Sequence, residues 1–452
     1  MPHLFGEAAT SLLSKRRGWL TGALQSSVHW PKEDVMLQYD GDEYFLRGHE
    51  QPNQPSLAPC IHMHCGREEI PQTLSKLYRF VSILGWYLNG YVDVLDHIWG
   101  SHATPYEYGK PQFMLAVCTR KGFNCNFMPI IVDDRTRRAL AYWREGLRLK
   151  PLHIGYSFLS FYKVLESQFK NKNLFDRWVK GVLASLTGDA RTRADELDVA
   201  GVNIVKHLYA SGRCAVAHGS FHKGDGDPDR PEERVRLRQD LPIMEALAKM
   251  YIEAELGVPD RMSVHRSRDR LTPIYTFMQR DEIDALRAGG SVPRRKLALD
   301  GLAVSINFWP DPPCGSFTNL ELRVLSAHEG CVLLDAIGKD DSLNLRFALD
   351  FVEKKVHTQY SHSYFRPIEQ GGSEQEALAV LEYSKAILRN GVVELRLPNG
   401  TVLDCEMVVP VNVDVEGTCR NIDDQVDALR SLAVRYSGAE LDQDAVVDPR
   451  QV

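Results

Sequence analysis

The chain has 452 residues, of which 44% are hydrophobic and 25% charged, the make-up of a folded globular protein with room for about three domains at roughly 150 residues each. Its 54 basic and 60 acidic residues give a net charge of −6, but the charge is uneven: residues 1–150 hold 17 basic and 15 acidic side chains, residues 151–296 hold 24 and 20, and residues 297–452 hold 13 and 25. The longest apolar stretches are too short to span a bilayer, the first residues show no secretory pattern, and nine cysteines without small-domain spacing fit reduced thiols, so a cytoplasmic, multidomain chain with no membrane partner is expected.

Residues 28–65 read as β-rich. Asp34–Arg47 alternates and breaks at Asp40-Gly41, a hairpin signal, and Cys60–Cys65 is a short strand-like run. Ile70–Trp99 has the apolar period of one or two helices, with Leu74, Leu77, Tyr78, Val81, Leu84 and Leu88 on one stripe. Phe113–Cys118 and Asn124–Val132 look like further strands. This predicts an α+β domain over residues 1–133.

Helical patterning then runs over residues 134–258. Asp133 or Asp134 starts the first helix, Leu152–Phe169 is apolar and aromatic, Leu174–Leu186 and Ala194–Gly212 follow, and Leu241–Leu256 is closed by Gly257 and Pro259. A central all-α bundle is expected. Residues 259–296 read as a basic linker, and residues 297–452 as an acidic, β-rich domain: mainly β over 297–415, interrupted by one helix, Glu374–Leu388, with a strong hairpin at Pro398–Thr401 and an acidic tail after Asp423. The fold class is therefore α+β multidomain.

The segment Lys206–Gly219 concentrates the chemistry. Arg213 and His218 stand five positions apart, about 140° around an ideal helix, so they share a face only if the helix ends between them or if two chains supply the pair. Arginine is a planar phosphate donor and histidine titrates near neutrality, so such a pair is able to cleave a phosphodiester without metal. Glu166, two helices earlier, is placed to brace Arg213, with a capping or surface role as the alternative. His222 and Lys223 sit in a glycine-rich loop suited to substrate contact, and Arg266 and Arg268 could track a nucleic-acid backbone.

The run Cys60-Ile-His-Met-His-Cys65 holds two thiols and two imidazoles. A structural zinc site needs two separated ligand pairs, and Cys118 with Cys125 lacks finger-like spacing, so strand packing is expected there, with no metal and no cofactor.

Arg213–His218 resembles the Arg-x4–6-His signature of HEPN (higher eukaryotes and prokaryotes nucleotide-binding) domains, and Tyr156–Glu166 resembles their aromatic first helix. With Arg79–Trp86 upstream, the wording more closely resembles the methylamine-utilisation MauJ family and its HEPN-like relatives. The resemblance implies a HEPN-like bundle and, in catalytic members, a homodimeric, metal-independent endoribonuclease acting in phage defence or as a toxin. Arg213 would then hold the phosphate and His218 would be the general acid or base, with RNA as substrate and a regulatory protein partner. Cys214 departs from the polar residue that follows the arginine in many active members. The alternative is a non-catalytic HEPN-like binding or assembly module, a MauJ-like accessory protein.

Overall fold

The computed structural model describes residues 3–48, 59–104, 119–120, 123, 125, 127–218, 231–294, 297–307, 317–359, 362–366, 373–390, 392–406 and 414–443. The chain forms two compact units, residues 1–120 with 125–266, and residues 121–124 with 267–452. Among the described residues no helix is long and apolar enough to cross a membrane. The fold class is α+β multidomain, with an N-terminal α+β region, a central all-α stretch and a C-terminal β-rich region.

The first unit begins with β1 (His3–Phe5), α1 (Glu7–Lys15), β2 (Trp19–Ser26), β3 (Trp30–Pro31), β4 (Val35–Tyr39), β5 (Asp42–Arg47), β6 (Cys60–His64), α2 (Ile70–Tyr87), β7 (Val92–Gly100) and β8 (Thr119–Arg120). Six strands form an antiparallel sheet in the order β1-β4-β5-β6-β2-β7, and β3 pairs with β8. The expected hairpin is β4–β5, and Asp40 (φ 51°) and Gly41 (φ 81°) both take the left-handed backbone that a tight two-residue turn needs. Alternation along β2 divides the faces. Trp19 packs with Phe45, Met36 and the α1 residues Ala9 and Leu13, while Gly22 lies under Leu77 of α2.

Two sequence expectations are corrected here. The helix over Ile70–Trp99 stops at Tyr87, where Asn89 turns the chain (φ 57°), and Val92–Gly100 is a strand. The described residues of Asn124–Val132 form no strand. Pro129 lacks a backbone donor, and the Tyr39 hydroxyl pins the run by donating to the Pro129 carbonyl (3.0 Å) and accepting from the Ile131 amide (3.3 Å). Phe113–Cys118 lies outside the described residues.

The strand Cys60–His64 is packed as expected. His62 is fully buried, with Nδ1 2.8 Å from the Thr21 hydroxyl and Nε2 3.8 Å from Cys60 Sγ. Burial, and then the Arg47 charge, push its pKa down to about 3. Below pH 6.5 the unfolded imidazole takes a proton that the folded one refuses until about pH 3. Stability therefore falls as pH drops through that window, by up to about 1.4 kcal/mol per pH unit, and above pH 6.5 this group adds no pH dependence. Urea midpoints measured from pH 7 to 4 are expected to show this slope in the wild type and a shallower one in His62→Gln. Equal slopes would contradict the assignment.

The helices of the first unit are α3 (Asp134–Leu149), α4 (Ile154–Glu166), α5 (Lys172–Val182), α6 (Gly188–Val199), α7 (Ile204–His207), a π turn over Leu208–Cys214, α8 (Ala215–His218), α9 (Pro231–Met250) with a π turn over Tyr251–Glu255, and α10 (Arg261–Ser267). Their caps follow the sequence: Asp133 accepts from the Thr136 amide, Asn171 from Leu174 and Asn203 from Lys206. Helix α4 is the central element, packed on α3 and α9. Phe158, Phe161, Val164 and Leu165 are fully buried, and the Ser157 hydroxyl donates to the Gly146 carbonyl at 2.8 Å, where α3 approaches closely. Trp143 stacks edge-on against Trp86, joining this region to α2.

The second unit holds α11 (Arg280–Arg287), β9 (Ala303–Asn307), β10 (Phe317–His328), β11 (Cys331–Ile337), β12 (Leu343–Asp350), β13 (Lys355–Thr358), β14 (Tyr364–Phe365), α12 (Glu374–Asn390), β15 (Val392–Arg396), β16 (Val402–Glu406) and α13 (Val415–Gln443). The sheet order is β11-β10-β9-β15-β16-β13-β12-β14, and β11 also pairs with β12, so seven strands form a ring around an apolar interior. Arg346 grips Asp335 with two hydrogen bonds across β11 and β12 (2.7 and 2.9 Å). One face of α12 covers the barrel through Val380, Tyr383 and Ile387, and the other meets α13 through Leu381 and Leu388. The acidic tail after Asp423 is helical as far as Gln443.

Candidate functional site

Arg213 stands in a helical run that continues without a break from Ile204 to His218. Within one chain, convergence of Arg213 and His218 on a regular helix required that helix to end between them, and it runs on through α8 to His218. Arg213 lies in the π turn and His218 closes α8. The side chain of His218, and all of His222 and Lys223, lie outside the described residues.

The π turn has a local cause. A Cβ at Gly212 would meet the Phe158 ring at 2.3 Å, so only glycine lets this turn lie against α4. Widened turns of this kind re-aim side chains and recur at functional sites. Here the turn directs Arg213 at the end of α4, where its Nη2 and Nε lie 3.1 and 3.2 Å from Glu166 Oε1. The brace suggested by the sequence is therefore present. Burial pulls the Arg213 guanidinium down, Glu166 and then Cys214 push it up, and the net shift is upward. Beside it, the Lys172 ammonium lies 3.7 Å from the centre of the Tyr209 ring. Cys214 raises the Tyr209 phenol by hydrogen bonding and by charge. The cluster is a charge-compensated surface, with its arginine engaged by a carboxylate of the same chain.

Since Glu166 is 43% exposed and Arg213 24%, solvent screens the pair, and a double-mutant cycle of Arg213→Ala with Glu166→Gln is expected to give a coupling below about 1 kcal/mol. A coupling of several kcal/mol would show a deeper structural role.

Sequence reasoning missed a second constellation. Asp240 on α9, 2% exposed, accepts from Arg193 Nε of α6 at 2.9 Å, and its other oxygen lies 2.8 Å from His207 Nε2 of α7. Arg193 also donates to Glu196 at 2.9 Å. The signal was legible: Asp240 falls on the apolar stripe of α9 beside Leu237, Leu241 and Met244, where an aspartate requires buried partners. A third set joins Arg135 to Gln168 Oε1 (2.6 Å) and to the Tyr251 hydroxyl (2.9 Å).

The other residues expected to contact substrate are dispersed. Arg266 is exposed on α10 in the first unit. Arg268 belongs to the second unit and is paired with Asp404 of β16. Among the described residues no group of three or more His, Cys, Asp or Glu side chains is arranged to hold a metal ion.

A family model described as methylamine utilization protein MauJ matches residues 139–253, the stretch from within α3 to the π turn after α9. No curated protein and no solved structure matches the chain. The expectation of a metal-independent ribonuclease is corrected by these findings. Arg213 is engaged by Glu166 on an unbroken helix, and the match carries the description of an amine-utilisation protein. The helical region is similar to the MauJ family.

Proposed function

We propose that the chain is a non-catalytic binding and assembly module, an accessory protein of the MauJ kind, that works in the cytoplasm by holding a protein partner. The observation that carries this reading is the use of ionisable side chains within the matched region. Glu166 with Arg213, Arg193 with Asp240 and His207, and Arg135 with Gln168 and Tyr251 each tie one helix to another. The enclosed Asp240 network and the Arg135 set fix helix to helix, and the solvent-screened Glu166–Arg213 pair adds a weaker tie. The description of the matched family supports a partner in amine metabolism.

The test is isolation of the tagged full-length chain from its own host grown with and without methylamine, followed by size exclusion and mass spectrometry. A stoichiometric protein partner, either a second copy or a different chain, is expected to co-elute. A chain that elutes alone and monomeric under both conditions would overturn the proposal.

A further inference from the structure

The groove between α2 and α3 shares no residue with the Glu166–Arg213 cluster or with the Asp240 and Arg135 sets. It is a cavity of about 310 Å³, and its lining includes Leu74, Ser75, Tyr78, Arg79, Arg137 and Arg144. A second hollow of about 160 Å³ adjoins it and shares Arg79, Ser82 and Arg137. The spacing produces the arrangement: Ser75, Tyr78, Arg79 and Ser82 recur at helical intervals on α2, and Arg137, Ala141 and Arg144 on α3, so two helix faces meet along one cationic seam. Three arginines line the larger cavity and no carboxylate does.

The arginines differ in how far they are committed. Arg144 is structural: it donates to the Tyr78 carbonyl (3.1 Å) and the Ser82 hydroxyl (3.0 Å), pairs with Asp93 (3.2 Å), and lies over the Tyr78 ring at 5.7 Å. Arg137 uses Nε on the Ile131 carbonyl and Nη1 on Asp134, a carboxylate 81% exposed, which leaves Nη2 without a partner among the described residues. Arg79 is exposed and makes no hydrogen bond or ion pair among the described residues. The nearby carboxylates are occupied: Asp93 by Arg144 and Arg148, and Asp42 by Lys76. Asp40 lines only the smaller hollow.

Arg79, which has no carboxylate partner among the described residues, and Arg137, paired with the exposed Asp134 through one nitrogen, line the groove together with hydroxyls; such a set favours a multiply charged oxyanion, because arginine presents paired donors that match phosphate oxygens. Tyr78 is 39% exposed, with one ring face toward Arg144, and Leu74 adds an apolar wall. The volume is at the small end of ligand sites.

We propose that this groove binds a phosphate group, either free phosphate or the phosphate of a small phosphomonoester, through Arg79, Arg137 and the Ser75 hydroxyl, with Tyr78 flanking the body of the ester. This does not rest on the assembly role, and neither result decides the other.

The test is calorimetric titration of the full chain with inorganic phosphate, phenyl phosphate and benzoate, at ionic strength held constant with potassium chloride. Saturable phosphate binding is expected, weakened about tenfold or more in Arg79→Ala and partly restored in Arg79→Lys, with the thermal midpoint unchanged because Arg79 holds nothing in place. Tighter binding of phenyl phosphate that Tyr78→Leu abolishes identifies an ester ligand; equal binding of both identifies free phosphate. No saturable heat with either phosphate, equal affinity in Arg79→Ala, or benzoate binding as tightly as phosphate would overturn the proposal.

Discussion

Replacing Asp240 with alanine is expected to destabilise the first unit by about 3–5 kcal/mol, the cost of removing one partner from a buried charge network. Asp240 is almost fully enclosed and is the acceptor for both Arg193 and His207, so its loss leaves two half-buried donors from two other helices without their enclosed carboxylate. Glu196 remains available to Arg193, but the described contacts leave His207 no substitute acceptor. Asp240→Asn preserves the shape and one acceptor, and is expected to cost about 1–3 kcal/mol, in line with loss of charge-assisted bonds. Urea unfolding followed by tryptophan fluorescence measures both, and hydrogen exchange in α6 and α7 reports where the loss falls. An unchanged midpoint in Asp240→Ala would show that the network does not hold these helices together.

Gly212→Ala is the second large effect. Its new methyl would lie 2.3 Å from two atoms of the Phe158 ring, which is fully buried. Overpacking of this kind costs about 1–3 kcal/mol when neighbours can shift. Here the shift must open the contact between α4 and the π turn that aims Arg213. The double variant Gly212→Ala/Phe158→Leu, which makes room for the methyl, is expected to recover part of the loss. Thermal midpoints decide the matter: no loss in the single variant, or no recovery in the double, would contradict close packing as the reason for glycine at this position.

Patterns that depend on near neighbours were legible in the amino-acid sequence by itself. Asp40-Gly41 defined a hairpin, Asp133 and the apolar stripe of α3 defined a helix start, and Pro398–Thr401 defined the β15–β16 hairpin, because turn chemistry and periodicity act over a few residues. Val92–Gly100 misled because the apolar period of α2 ran into a strand whose residues are mostly exposed after Val94, and the break lies in a single backbone torsion at Asn89. At the site, Glu166 was offered as a brace for Arg213 beside a capping or surface role, but the spacing rule assumed a regular helix. The π turn, created by Phe158 pressing on Gly212 from another helix, is tertiary information. The Asp240 network likewise needs three helices to be placed before it has meaning, although an aspartate on an apolar stripe was a usable warning.

The central claim is that this region works by binding and not by catalysis, and His218 is the residue on which the two accounts divide. In a host strain lacking the gene, the measurement is the amount of partner recovered in complex when wild-type chain and His218→Ala are expressed at equal levels. The binding account predicts the same stoichiometric complex with both. A His218→Ala chain that folds normally but recovers no partner would contradict it.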